Sequence, residues 1–404
     1  MRNAEQKKGS SVYTIGLSEA LLGDEEKHAL CRVIDSGWLS TGDEVRAFEQ
    51  EFAQCHAQKD AVAVSSCTAA LQLALQALGV RPGDEILVPS VTFIATVNAV
   101  LYVDARPVPV DIQSPVLPHM SLEDAERKIT KKTRGVIIMH YGGFACDTAL
   151  WSEFCRRHDC ILIEDAAHTP FMPSVGQYSD AAAFSFFANK NMTCAEGGMI
   201  LSRHAAVRDA CRMLRAHGMT APTLERKRGH AFSYDIVQLG YNMRMDELRA
   251  ALGRVQLEHL EERTRTRRHL TACYRELLTA ALPEVAILPL SHENADCHLM
   301  VCVLPEGCDR ATVMQSMKDA GVQTSIHYPP YHRFSWHSRL FAETALPLAE
   351  EYMRRTLTLP LHPGLNEDHV HRVVRALSEA LHPRSAGGTV HPSGKTESFT
   401  SWQR

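Results

Sequence analysis

The chain has 404 residues, 45% hydrophobic and 22% charged, with a formal net charge of -4. That length buries a large core and divides into two domains, and the charge balance leaves no basic footprint for nucleic acid. No apolar run reaches membrane-span length and the opening MRNAEQKKGS lacks a signal-peptide core, so a cytoplasmic protein without membrane partners is expected. The twelve cysteines include no CxxC pair and read as reduced thiols, and the 21 histidines include no HExxH or paired His/Cys spacing, so no metal site is expected.

Residues 1–13 are polar and read as a flexible N-terminus. Leu17 to Ile34 reads as helical, the stretch Ser36 to Gly42 (SGWLSTG) breaks it, and Val45 to Cys55 resumes a helix. A repeating pattern follows. Strand Ala61–Val64 ends at Ser65-Ser66-Cys67-Thr68 and leads into a helix over Ala69–Leu78. Strand Glu85–Val88 closes on Pro89, before a helix from Phe93 to Tyr102. Arg106–Asp111, Gly135–Met139 and Ile161–Ile163 read as further strands, the last ending at Glu164-Asp165. Ala181–Phe187 reads as a strand buried on both faces, and Met199–Leu201 as its neighbour across a polar loop. Strands alternating with helices predict an α/β fold with a mostly parallel sheet, whose ligand lies beyond the carboxyl ends of the strands.

Past about residue 206 the pattern changes, as a loss of strand–helix alternation marks a boundary. Residues 219–234 are basic and turn-rich, and Met245 to Thr266 reads as one long helix. The expected division is a large domain over 14–255, a smaller C-terminal α+β domain over 256–382, and a disordered tail over 383–404. The smaller domain has strand candidates at 298–304 and 322–326 and helices at 310–320, 343–355 and 366–381.

Lys190 lies in the polar loop between two core strands. Partial desolvation there lowers an amine's pKa toward the range where it attacks a carbonyl, as a Schiff-base lysine must. Asp165, at a strand end, can hold a proton on a pyridine nitrogen, although a helix N-cap is the commoner role and, for this residue taken alone, the better reading. Ser66-Cys67-Thr68 precedes an uninterrupted helix whose free N–H groups form an anion site, and plain capping uses the same groups. Ser185 lies five residues before Lys190 and can reach the same anion, and Phe93 offers a ring to stack on, or a core aromatic. Phosphate cradle, stacking aromatic, pyridine aspartate and imine lysine together describe pyridoxal phosphate.

The stretches SSCTAALQLAL, PGDEILVPSVTFIATVNAV, VPVDI, IEDAAH, FSFFANKNMTCAEGGM and GYNMRMDELRAALGRVQLEHL resemble the DegT/DnrJ/EryC1/StrS aminotransferases. These are sugar aminotransferases of the aspartate-aminotransferase fold, fold type I, and the likeness spans about residues 14–380. It implies Lys190 as the imine-forming lysine, Asp165 on the pyridine nitrogen, His168 near the ring hydroxyl and Phe93 on the ring face. It implies Thr68 and Ser185 on the phosphate, joined by Asn242 from the other subunit, and hence a homodimer with shared active sites. His327-Tyr328-Pro329-Pro330 resembles the family's substrate-side segment, which puts His327 and Tyr328 near the sugar, although a turn fixed by two prolines fits it equally well. Trp38 is a third candidate substrate contact. Cys67 replaces a frequent glycine, and the loop PFMPSVGQYSD departs from the family's usual wording.

The resemblance implies transfer of an amino group from an amino acid, glutamate, to a keto sugar, nucleotide-linked, in amino-sugar biosynthesis. The alternatives are a fold type I sugar dehydratase, a cyclitol aminotransferase, or a non-catalytic cofactor-binding regulator or scaffold. Family dehydratases carry histidine in place of the lysine, so Lys190 favours transamination.

Overall fold

A computed structural model describes residues 13–220, 233–342 and 344–383. All but the last residue of the expected N-terminal segment, most of the basic stretch 219–234 and all but the first residue of the tail lie outside the described residues.

Seven strands form the central sheet: β1 (Ala61–Val64), β2 (Glu85–Pro89), β3 (Arg106–Val110), β6 (Thr133–Met139), β7 (Ile161–Asp165), β8 (Ala181–Ser185) and β9 (Gly198–Leu201). Their order is β1-β9-β8-β7-β6-β2-β3. Only β9 runs antiparallel to its neighbours. The parallel strands read as near-continuous apolar runs because both faces are covered. In β8 the small residues Ala181 and Ala183 face helix α3 (Cys67–Ala77), and Ala182 and Phe184 pack with Phe48 and Phe52 of α2 (Asp43–Cys55) on the other side. Edge strand β3 carries Pro107 and Pro109, which lack the N–H groups another strand would need.

Several elements were not anticipated. A hairpin, β4 (Ile112–Ser114) with β5 (Leu117–Met120), is followed by α5 (Leu122–Lys128). Helices α6 (Thr148–Arg157) and α7 (Ala205–Leu214) cover the sheet, α6 through Trp151 and Phe154. The first helix, α1, spans Asp24–Ser36 rather than starting at Leu17. Its start is fixed by Glu26, whose carboxylate accepts the Gly23 N–H at 2.6 Å. Residues 14–17 instead run alongside the C-terminal part, with the Ile15 N–H on the Gly321 carbonyl and the Leu17 N–H on Gln323 Oε1.

The single long helix expected from Met245 is two helices, α8 (Glu247–Glu258) and α9 (Leu260–Ala281), meeting at His259. The packing partner changes there. Helix α8 lies on α1 and α2, while α9 enters the C-terminal core with Leu270, Tyr274 and Leu278. That smaller α+β part holds the antiparallel strands β10 (Ala286–Ile287), β11 (Met300–Val303) and β12 (Thr356–Leu359). Helices α10 (Arg310–Asp319), α11 (Pro347–Arg355) and α12 (Glu367–Leu381) complete it. The strand expected at 322–326 forms only single bridges, at Val322 and Ser325. Helix α4 spans Ile94–Leu101 and starts at the sheet's carboxyl edge beside β2.

Candidate active site

The polar loop between β8 and β9 is tied by its own backbone. Phe186 donates to the Gly197 carbonyl at 2.9 Å and accepts from the Cys194 N–H at 3.0 Å. Lys190 sits within this loop and is partly buried as a residue. Desolvation pulls its amine down from the ordinary lysine value to about 8, against the opposing pull of Asp165. The thiol of Cys67, pushed well up by burial, stays protonated and lends no charge. Asp165 is therefore the anionic partner of Lys190.

Asp165 ends β7 and is 3% exposed. Its Oδ2 accepts from Thr96 Oγ1 at 2.7 Å and its Oδ1 from the Ala167 N–H at 3.1 Å. Burial raises its pKa, while Thr96, the Ala167 N–H and Lys190 act the other way. No helix follows Asp165, so the helix-cap reading falls. Thr96 gives its one proton to Asp165 and so accepts from Thr92 Oγ1 at 2.6 Å.

Ser66 caps α3, its Oγ accepting the Ala69 N–H at 3.1 Å, so its lone pair serves the helix. The first-turn N–H groups of Cys67 and Thr68 remain, at the positive end of an eleven-residue helix. Among the described residues the Thr68 hydroxyl has no hydrogen-bond partner. Ser185 pairs in register with Gly198 at the end of β8, and its Oγ accepts the Phe187 N–H at 3.4 Å. A Cβ on Gly198 would fall 2.5–2.7 Å from the backbone of Ser66 and Cys67. Only glycine lets β9 press this close to the helix end.

On the other flank, His168 is buried between two contacts. Its Nδ1 lies 3.1 Å from the Gly142 N–H and its Nε2 3.0 Å from Tyr328 Oη. The Phe93 ring, 54% exposed, lies 5.7 Å from that of Tyr328, and the His298 ring lies 4.3 Å from that of His168. His327 bonds Thr358 Oγ1 through Nδ1 at 2.8 Å, and burial lowers its pKa to about 4. Lys190, Asp165, Cys67, His168, Phe93 and Tyr328 are thus gathered in one site.

Two expected residues are set apart from this group. Trp38 donates from its indole N–H to the Thr41 carbonyl at 3.3 Å, beside Gly42 and Glu247 at the start of α8. Asn242 is exposed and bridges to Ala216, four residues before Asp246, which caps α8 by accepting the Arg249 N–H.

Thr96, Asn191 and His298 went unread in the sequence. Asn191, beside Lys190, donates from Nδ2 to the Asp296 carbonyl at 2.8 Å and accepts from His298 Nδ1 at 2.9 Å. Its adjacency to Lys190 was the one available signal. His298, at the entry to β11, carried none. The donor set fits pyridoxal phosphate: a desolvated amine, a buried carboxylate opposite it, and an anion site at a helix end that a Cβ would close.

The family model of the DegT/DnrJ/EryC1/StrS aminotransferase family matches residues 21–378. The chain belongs to this family of pyridoxal-phosphate-dependent fold type I enzymes and is an aminotransferase. It is 35% identical over 374 residues to the spore coat polysaccharide biosynthesis protein SpsC of Bacillus subtilis, covering 89% of this chain and 95% of SpsC. The solved structure of S. venezuelae DesV is 33% identical, with a TM-score of 0.80 over 89% of this chain and 95% of that one. NtdA of Bacillus subtilis, solved with bound cofactor PMP, is 26% identical, with a TM-score of 0.81 over 89% of this chain and 81% of that one. Among the described residues no helix is long and apolar enough to cross a membrane and no metal-binding cluster occurs.

Proposed function

We propose that this aminotransferase binds pyridoxal phosphate on Lys190 and moves an amino group from an amino acid, glutamate, to a nucleotide-linked keto sugar. The observation that carries the reading is an enclosed amine with its pKa lowered to about 8, facing a buried carboxylate beside a helix N-terminus. When bound, the cofactor supplies an electron sink for charge developing beside the transferred nitrogen. Asp165 holds a proton on the ring nitrogen, α3 with Thr68 and Ser185 holds the phosphate, and Phe93 covers a ring face. Lys190 Nζ serves as nucleophile and as carrier of a proton within the site. SpsC is named for polysaccharide biosynthesis, which supports a sugar acceptor, and the PMP bound to NtdA supports the cofactor. The twelve unpaired cysteines fit a reducing, cytoplasmic setting. The domain division stands near residue 256, supported by the change of packing partner at His259.

Glutamate added to the loaded enzyme is expected to bleach the imine absorbance and release 2-oxoglutarate. A spectrum unmoved by any amino acid would sink the transamination reading. A panel of nucleotide keto sugars offered to the aminated form then identifies the acceptor.

The same reading takes the enzyme as a homodimer whose partner presents Asn242 to the phosphate. Support comes from the exposure of Asn242 beside Ile236, Val237 and Leu239, all more than half exposed. Lys190→Ala and Asn242→Asp, each deficient alone, are expected to regain about half of wild-type activity per heterodimer, since one site then carries neither lesion. No recovery in heterodimers verified by mass would mean that Asn242 serves its own subunit.

A further inference from the structure

The contacts of His168 fix where its proton is. The Gly142 N–H can only donate, so Nδ1, 3.1 Å away, must present a lone pair. Burial and the neighbouring Lys190 charge keep the imidazole neutral, its pKa well below the ordinary value. Its one proton therefore sits on Nε2, which points at Tyr328 Oη. The Tyr328 oxygen accepts from His168, and its own O–H is left to donate elsewhere. Among the described residues no acceptor takes it. The free donor faces the space shared with Phe93 and Asp165.

This orientation is enforced from the C-terminal part of the chain. The Gly142 carbonyl accepts from the His298 and Leu299 N–H groups at 2.8 and 3.0 Å, and the Gly143 carbonyl accepts from the Asp296 N–H at 2.8 Å. Gly143 has φ 89°, and a Cβ there would lie 2.6 Å from the His298 nitrogen. The peptide that aims its N–H at His168 joins Tyr141 to Gly142; its own carbonyl accepts the Phe144 N–H at 3.2 Å, and the clamped peptides that follow it hold the turn in place.

We propose, resting on the pyridoxal phosphate reading above, that Tyr328 rather than His168 donates the hydrogen bond to the ring hydroxyl oxygen of the bound cofactor. His168 is then a positioning residue, which fixes the direction of the Tyr328 hydroxyl. Once the phosphate and the ring nitrogen are engaged, that oxygen is the acceptor left on the ring for a phenolic donor. Tyr328, expected from the sequence to lie near the sugar, moves to the cofactor side.

The measurable consequence is the pH at which the bound cofactor's absorbance titrates. A donor on the ring oxygen weakens that oxygen's hold on the proton it shares with the Lys190 nitrogen, so the proton leaves at lower pH. The titratable groups facing this space are Asp165, Lys190, Cys67, His327 and Tyr141, with His298 behind His168 and the buried His140, paired with Glu164 at 2.7 Å, acting on both Asp165 and His168. Burial keeps the imidazoles of His168, His298 and His327 neutral and the phenols and the thiol protonated. Between the carboxylate range and the value of about 10 to which, against burial, its hydrogen bonds raise His140, the shared proton is the one left to titrate in this space.

The test is a spectrophotometric pH titration of the purified holoenzyme and its variants. Tyr328→Phe is expected to raise the midpoint by about one to two pH units, the size of a lost hydrogen bond to a charged acceptor. His168→Leu raises it by less, and adds nothing in the Tyr328→Phe background, because His168 acts through Tyr328. Fluorotyrosine at position 328 keeps the shape and strengthens the donor, so the midpoint falls below wild type. This arm decides the matter if Tyr328→Phe fails to fold. A wild-type midpoint in Tyr328→Phe or in the fluorotyrosine protein overturns the assignment, as does a His168→Leu shift that persists without Tyr328. A wild-type protein that shows no cofactor band at any pH overturns the cofactor reading itself and the assignment with it.

Discussion

On one flank of Lys190 the anion site is made from residues 66–69 of a single strand–helix turn, with Gly198 pressed against it. On the other flank, His168, Asn191, His298 and Tyr328 meet from four separated stretches, two of them in the C-terminal part. The first flank is assembled as soon as β1 and α3 form and β9 pairs beside them. The second exists only when the C-terminal part docks. Affinity for the phosphate and geometry around the ring are therefore separable, and changes on one flank should leave the other largely intact.

The largest effect is expected where the flanks meet. Lys190→Ala should lower turnover by more than the about 10²–10⁴-fold typical of losing a general base, because the nucleophile goes as well. It should still retain cofactor through the phosphate, measured by equilibrium dialysis. If the variant lost both, the phosphate flank would not be independent. Gly198→Ala probes that flank alone. Its Cβ meets backbone rather than a flexible side chain, so β9 must move away from α3. A loss of about 1–3 kcal/mol in stability is expected, with weaker cofactor binding in the same titration.

Asn191→Ala probes the ring flank. It leaves His298 Nδ1–H without its acceptor and frees the lysine loop from the Asp296 carbonyl. We expect a fall in kcat of about tenfold with phosphate affinity unchanged, a desolvated donor costing about 1–3 kcal/mol. Equal damage to both measurements would erase the distinction between the flanks. The smallest effect is one of pH. The unloaded Lys190 amine reacts only when neutral, and its pKa is about 8. The rate of cofactor capture by the apoenzyme should therefore rise about tenfold between about pH 7 and about pH 9 and then level off. A rate still climbing toward the ordinary lysine value would mean that the amine is not desolvated.

The two flanks differed as much in legibility. The phosphate flank could be read because its groups are contiguous: Ser66, Cys67 and Thr68 follow an apolar run and precede a helix. The reading of the chain as an α/β enzyme, and the proposal of Lys190 as its imine-forming lysine, came from the same kind of local signal around Lys190 and Asp165. Thr96, which fixes one oxygen of Asp165, lies 69 residues away in sequence and looks like any residue in an early helical turn. Tyr328 was read as lying near the sugar, because nothing local showed that its hydroxyl meets His168 Nε2 at 3.0 Å, 160 residues away in sequence. The break at His259 was equally hidden, since neither glycine nor proline marks it and the helical pattern runs through.

Backbone conformation and apolar periodicity depend on near neighbours, so the strands, most of the helices, the anion site at α3 and the chemistry of Lys190 were determined by the sequence itself. Hydrogen-bond direction depends on which donor faces which acceptor. The tautomer of His168 was decided only when Gly142, its carbonyl clamped by the His298 and Leu299 N–H groups and that of Gly143 by Asp296, turned its N–H toward Nδ1. No local pattern encodes that meeting, because it requires the C-terminal part to be packed against the end of the sheet.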